Sequence, residues 1–274
     1  LAVTIDKSKI GGNMIITTGF DPIPEVADRA QRLAARTGCT YIPRARFSIT
    51  KLAEHSGDGE ILVVLQEAVR LMTPGMSAME FHPSMGFVRA KRIIRGESDP
   101  MIEAAGMLPG DSVLDCTAGL GGDSLLFAVA GGGQSRVTAL ESSLPLYALL
   151  LEGMSTYVSG QTKVNEALRR IEVQHGDHLD YLRAQPDKST DIVYFDPMFR
   201  VPLTDSAAIS PLRQFANPAP LSEASVAEAC RVARKTVLLK EKALSGEFTR
   251  LGFTELLRAS AKTSYGVITI DNRD

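Results

Sequence analysis

The sequence predicts an α/β protein: a doubly wound, mostly parallel sheet with an antiparallel edge, preceded by a small N-terminal α/β domain. Three observations predict it. From Asp99 onward, short apolar runs alternate with helical stretches; a glycine-rich turn follows the first of these runs; and the last two runs lie too close together for a helical crossover.

Taken in order, Met14–Thr18 is a β-prone run ending at Gly19, and Asp21-Pro22 opens a helical stretch through Arg36 with Gly38 as its stop. Residues 61–65 read as a buried strand. Residues 67–72 read as short helical or extended structure, broken by Thr73-Pro74-Gly75, and this break divides residues 1–75 from residues 76–274. Asp99-Pro100 supplies a cap and a first helical position. Strands follow at 112–116, 136–140, 171–174, 191–195 and 236–239, with helices after each of the first three and another at 221–233. Runs at 253–257 and 265–270 read as an antiparallel pair closing the sheet edge.

Composition narrows the class. The 274 residues are 44% hydrophobic and 23% charged with a net charge of −2, which excludes fibrous, disordered and disulfide-scaffold proteins. Charge is uneven: residues 1–100 carry 13 Lys+Arg against 11 Asp+Glu, residues 101–199 carry 6 against 13, and residues 200–274 carry 11 against 8. Cys39, Cys116 and Cys230 have no paired spacing, as expected of buried thiols in a reducing compartment. Apolar runs such as 61–65 and 236–239 fall far short of the roughly 20 residues of a membrane span, and no leader-like run precedes Asp6. Cytoplasm is the expectation, and Leu1 points to a native start upstream. The four histidines form no metal-ligand spacing, so no metal is expected.

The most informative stretch is Asp115-Cys116-Thr117-Ala118-Gly119-Leu120-Gly121-Gly122-Asp123, where a buried strand runs into a glycine turn and then a helix. This is a nucleotide-type loop at the carboxyl end of a parallel strand. Glu141 ends the second strand about 20 residues later, where a carboxylate accepts ribose hydroxyls. Asp177, after the third strand, has two readings: acceptor for an adenine amine, or N-cap of the next helix. Asp123 would repel a pyrophosphate, and no Walker loop occurs. The acidic flank of the turn, Asp115 and Asp123, suits a positively charged ligand, a description that S-adenosylmethionine meets.

These segments, with Asp196-Pro197-Met198-Phe199, resemble the ordered motifs of class I S-adenosylmethionine-dependent methyltransferases over about residues 80–274. Within that class the likeness is to bacterial small-subunit ribosomal RNA guanine-N2 methyltransferases and to a Gram-positive group with an Phe-His-Pro-x-Met segment. The resemblance implies a seven-stranded Rossmann-like methyltransferase sheet with S-adenosylmethionine as cofactor and S-adenosylhomocysteine as product. It places Asp115, Thr117, Ala118, Gly119, Gly121, Asp123, Glu141 and Asp177 around the cofactor. Arg200 departs from the pattern, in which another proline usually follows.

Asp196 follows an apolar strand, so it emerges at the same edge as the glycine turn. Its carboxylate and the Pro197 carbonyl can accept the two hydrogens of an exocyclic amine while Phe199 stacks on the base. That pattern predicts positioning and electrostatic stabilisation without a covalent intermediate. Arg89, Lys91, Arg92 and Arg95 follow Phe81-His82-Pro83 with no acid among them, a strip with two readings: a phosphate contact or a solvated helix face. If helical, the strip places Ile93 and Ile94 inward. His82, Arg89, Arg92, Arg95, Met198, Arg200 and Lys240 are the substrate-side candidates, and Arg44 and Arg46 form a second basic spot. The expected partner is structured RNA of the small ribosomal subunit. A small-molecule or protein amine as substrate, and a non-catalytic cofactor-binding protein, are the alternatives.

Overall fold

Two sheets organise the chain, and the computed structural model describes residues 14–197, 215, 219–257 and 262–271. The first unit comprises the residues up to His82 together with Leu144–Val158; the second comprises Pro83–Ser143 and the residues from Ser159 onward.

In the first unit, β1 (Met14–Thr18), α1 (Pro24–Thr37), β2 (Thr40–Tyr41), α2 (Ile49–Ser56), β3 (Glu60–Val64), β4 (Val69–Met72) and β5 (Met79–Glu80) build a sheet of order β2-β1-β3-β4-β5. β1 lies parallel to β2 and β3, whereas β4 and β5 are antiparallel additions. All of β1 is buried, as a strand covered on both faces should be. Within residues 67–72, Val69–Met72 form a strand, in which Val69 and Leu71 are buried while Arg70 between them is exposed, a period of two. Pairing of β5 with β4 carries the sheet past Thr73-Pro74-Gly75, so that break is a turn inside the sheet and the units divide at His82 and Pro83.

A later helix, α6 in chain order (Leu144–Thr156), also belongs to this unit. Leu146 through Met154 are all buried, the mark of a helix apolar all round. Gly153 is required there, because a Cβ would sit 2.0 Å from the Phe81 ring. Order along the chain groups this helix with its neighbours beyond residue 76; its apolar surface is instead consumed by the first unit.

The second unit contains α3 (Ser84–Ile94), α4 (Pro100–Ala105), β6 (Ser112–Asp115), α5 (Gly122–Gly131), β7 (Arg136–Glu141), α7 (Thr162–Arg170), β8 (Glu172–His175), α8 (His178–Ala184) and β9 (Thr190–Phe195). It ends with α9 (Glu223–Val232), β10 (Ala233–Lys242), α10 (Gly246–Arg250), β11 (Thr254–Leu256) and β12 (Thr263–Thr269). The sheet order is β11-β12-β10-β9-β6-β7-β8, with β6 through β10 parallel and β12 antiparallel to both β10 and β11. Ile192 to Phe195 of β9 are wholly buried, since helices cover both faces at the centre.

One feature of this order positions the site. From β6 the chain steps outward through β7 and β8, then returns to the other side of β6 for β9 and β10. Neighbouring strands whose connections leave in opposite directions leave a crevice at their carboxyl ends. Here those strands are β6 and β9, which carry the glycine turn and Asp196.

Candidate active site

The turn after β6 is built from inside. Asp115, 1% exposed, accepts the Ser124 hydroxyl at 2.5 Å and the Thr117 backbone N–H at 3.1 Å, drawing the start of α5 back over the strand end. Burial pushes Asp115 up to about 7, against the pull of these two hydrogen bonds. Gly119 (φ 55°) and Gly121 (φ 70°) both occupy the left-handed region that the turn demands. A Cβ built on Gly119 would meet nothing within 4 Å, so the turn presents open space at that point.

Glu141 closes the turn from the next strand. Its Oε2 accepts the Gly119 N–H at 3.0 Å and its Oε1 accepts the Ser143 N–H at 2.8 Å. A carboxylate offers about four acceptor positions, so about two remain. Burial pushes its pKa up, with the backbone N–H groups opposing. A diol fits this donor and acceptor arrangement, and the space at Gly119 admits a ligand close to the backbone. Ribose on a buried carboxylate beside a bare glycine is what an adenosine cofactor requires.

Across the switch point, the Asp196 backbone N–H donates to Thr117 Oγ1 at 2.6 Å, tying the tip of β9 to the turn. The Asp196 carboxylate accepts from Lys240 Nζ at 2.6 Å, and the same ammonium reaches Asp123 Oδ2 at 2.9 Å. Asp123 also accepts the Tyr194 hydroxyl at 2.7 Å and Arg89 Nη1 at 2.9 Å. Arg89 in turn holds Asp99 through two bonds of 2.8 and 2.9 Å. Burial opposes ionisation at Asp123, but Lys240 and Arg89 outweigh it and bring it down to about 2. Burial and the nearby Asp123 push Asp196 up, with Lys240 opposing. Lys240 is itself held above the usual lysine range, its two carboxylate partners outweighing burial.

Three carboxylates, Asp99, Asp123 and Asp196, thus share two cations, Arg89 and Lys240. The surplus negative charge lies where the cluster opens: the Asp196 side chain is 28% exposed, against 6% for Asp99 and 13% for Asp123.

Several expectations change. Asp115 and Asp123 do not present charge to a ligand, because one is buried under the turn and the other is spent on two cations and a phenol. Arg89 and Lys240 are internal ion-pair partners and not phosphate contacts. Asp177 caps α8, its Oδ1 accepting from Leu179 N at 2.8 Å and Asp180 N at 3.3 Å. His82 lies in the first unit with its ring edge-on to Tyr157. Ile93 and Ile94 are only half-buried; the inward residues of α3 are Gly86 and Ala90. Cys116 is buried, whereas Cys39 and Cys230 are half-buried. Met198, Phe199 and Arg200 lie outside the described residues.

Other members were missed. Tyr194 offered a signal, a phenol in an otherwise apolar buried strand that needs a partner. Gly86 offered none. A Cβ there would lie 2.5 Å from the Gly122 carbonyl oxygen, so α3 packs backbone to backbone on the first residue of α5. That closeness brings Arg89, nearly one turn further along α3, to Asp123.

The altered role of Asp115 has a measurable consequence. Its folded-state pKa lies above the unfolded value near 3.9, so the stabilisation it provides is full below pH about 4 and is lost as pH rises through about 7. Asp115→Asn should flatten the pH dependence of stability across that window while leaving cofactor affinity near wild type. Denaturant melts at several pH values test this; parallel curves for the two proteins would refute it.

The sheet order and the turn define a Rossmann-like α/β fold of the kind that holds a nucleotide at the carboxyl ends of its strands. The profile of the SAM-dependent methyltransferase family matches residues 48–241, and the chain belongs to that family; its cofactor is S-adenosylmethionine. The chain is 37% identical over 254 residues to the uncharacterized protein YpiP of Bacillus subtilis, covering 93% of this chain and 98% of that one. It is 34% identical over 188 residues to ribosomal RNA small subunit methyltransferase J of Pseudomonas aeruginosa (strain UCBPP-PA14), covering 68% of this chain and 67% of that one. The crystal structure of a SAM-dependent methyltransferase from Neisseria gonorrhoeae shares the fold, with a TM-score of 0.63 at 20% identity over 95% of this chain and 97% of that one. Among the described residues, no group of three or more His, Cys, Asp or Glu could hold a metal ion, and no helix is long and apolar enough to cross a membrane.

Proposed function

We propose that this methyltransferase acts on an exocyclic amine of a nucleobase in structured RNA, with guanine N2 of small-subunit ribosomal RNA as the target. The observation that carries the reading is the surplus carboxylate of Asp196, half-buried at the point where the charge cluster opens and joined through its backbone N–H to Thr117 of the glycine turn. The ribosomal RNA methyltransferase among the relatives supports the substrate class. A ribosomal substrate also puts the protein in the cytoplasm.

In this reading Glu141 holds the ribose and the backbone of Ala118 to Gly121 lines the cofactor. Bound S-adenosylmethionine supplies an electrophilic methyl group and leaves as S-adenosylhomocysteine. The amine's lone pair is delocalised into the base and nucleophilically weak. Asp196 and the Pro197 carbonyl accept its two hydrogens and draw the nitrogen toward tetrahedral geometry, and Phe199 stacks on the ring. The surplus proton passes from nitrogen to Asp196 and on to water. Lys240 keeps Asp196 charged and aimed, acting as a positioning residue.

With Arg89 internal and Lys91 half-buried over the Phe87 ring, the exposed cations left for phosphate are Arg92 on α3 and Arg95 at its C-cap, Arg92 bridging Glu97 at 2.7 Å on the surface. Charge reversal at both should weaken RNA binding and lower its salt slope by about 2. An unchanged slope would remove α3 from the interface.

The deciding experiment incubates the purified protein and labelled cofactor with total RNA, protein and small molecules from a strain lacking the gene. Label in small-subunit RNA as N2-methylguanine is expected. Label confined to the protein or small-molecule fraction would overturn the reading.

A further inference from the structure

Among its described residues, the first unit carries a cation without a counter-charge. At the carboxyl ends of its parallel strands, Gly19-Phe20 follows β1 and Ile42-Pro43-Arg44 follows β2. Arg44 is only 9% exposed. Its Nε donates to the Phe47 carbonyl at 2.7 Å, and among the described residues no carboxylate pairs with its guanidinium. A buried cation normally has a partner, because removing it from water costs several kcal/mol that only an opposite charge recovers. Burial lowers the Arg44 pKa, the sign of an unbalanced site.

What covers the guanidinium is aromatic. Arg44 Cζ lies 4.6 Å from the centroid of the Phe20 ring, and Phe20 is itself 60% exposed. A ring with a cation on one face and water around it is a stacking platform. Arg46, exposed two residues further on, adds a second cation. Asp21, next to Phe20, is exposed and forms no ion pair with either arginine. An exposed aromatic plane beside uncompensated guanidinium groups matches a single-stranded nucleotide: a base for the ring and a phosphodiester for the cations. A protein segment would need only one of these features.

We propose that the carboxyl edge of β1 and β2 is an RNA-binding site in which an unpaired base stacks on Phe20 and the adjoining phosphodiester is held by Arg44 and Arg46. This rests on the reading that the substrate is RNA, and it gives the first unit a role in recognising it. Because Arg44 is buried, Arg44→Gln risks unfolding, so the test uses the two exposed residues.

Binding of a short fluorescein-labelled single-stranded RNA is followed by anisotropy over a salt series, with thermal melts as a fold check. Phe20→Ala should weaken binding about 5- to 100-fold. Arg46→Gln should weaken it less and lower the salt slope by about 1. In both variants KM for RNA should rise with kcat and S-adenosylmethionine affinity unchanged. Wild-type affinity and slope in both folded variants would overturn the site while leaving the methyltransferase reading intact. Loss of RNA affinity in Phe20→Ala, combined with no methyl transfer to any RNA by the wild type, would sustain the site and overturn the substrate instead.

Discussion

Asp196→Ala will reduce methyl transfer by at least about 100-fold, the scale on which a preorganised polar contact to a reacting group acts, while S-adenosylmethionine affinity stays within about twofold of wild type. The expectation follows from the division of labour at the switch point. In the proposed reading the cofactor is held by Glu141 and the glycine turn, and the Glu141 bonds to Gly119 and Ser143 do not pass through Asp196. The Thr117 hydroxyl is engaged by the backbone N–H of residue 196, which alanine retains. Lys240 keeps Asp123 as its partner in the variant, so no buried charge is stranded. Labelled transfer and equilibrium binding of the cofactor, run on one preparation, separate the outcomes. If both fall together with the melting temperature, Asp196 is a structural member of the cluster; if neither falls, the amine is held elsewhere.

The second large effect is expected at Lys240. Replacement by Met removes the cation between Asp123 and Asp196, and breaking such a buried pair costs about 3 to 5 kcal/mol. Arg89 still neutralises Asp123, so the cost falls mainly on Asp196. Burial and Asp123 already push Asp196 upward against the pull of Lys240; without that pull its pKa rises further. A carboxyl group that must be charged to accept the amine's hydrogens is then protonated over a wider range. The acid limb of the kcat profile should therefore move to higher pH, and kcat should fall far more than KM rises. Lys240→Arg, which retains the charge, should restore most of the profile. A variant that is merely unstable would lose activity without moving the limb.

How much of this was legible beforehand depends on the range of the interaction. The alternation of strand and helix, the glycine turn and the carboxylate ending β7 are local patterns, and each sits where its spacing places it. The antiparallel closing pair was also local, fixed by a connection too short for a crossover. What could not be read was the pairing of charges. Arg89, Asp99, Asp123, Asp196 and Lys240 come from five separate segments, and nothing in the strip from Arg89 to Arg95 says which guanidinium turns inward. Only the contact of Gly86 with Gly122 decides it. The domain boundary was obscured for the same reason: α6 finds its partners on β3, β4 and α1, far from its own neighbours in the chain. Asp177 is the opposite case, a residue whose local rule as a helix cap was sufficient.

The approach of Gly86 to Gly122 has a consequence for how this enzyme can change over time. Because two backbones touch there, α3 is divided lengthwise into a fastened margin and a loose one. Replacements on the fastened margin would wedge open the floor of the cofactor turn and drag Arg89 off its carboxylates. Those on the loose margin, at Arg92 and Arg95, leave that geometry alone, so if the proposed RNA contact is made there, a lineage could retune its grip without disturbing the machinery that makes the bond.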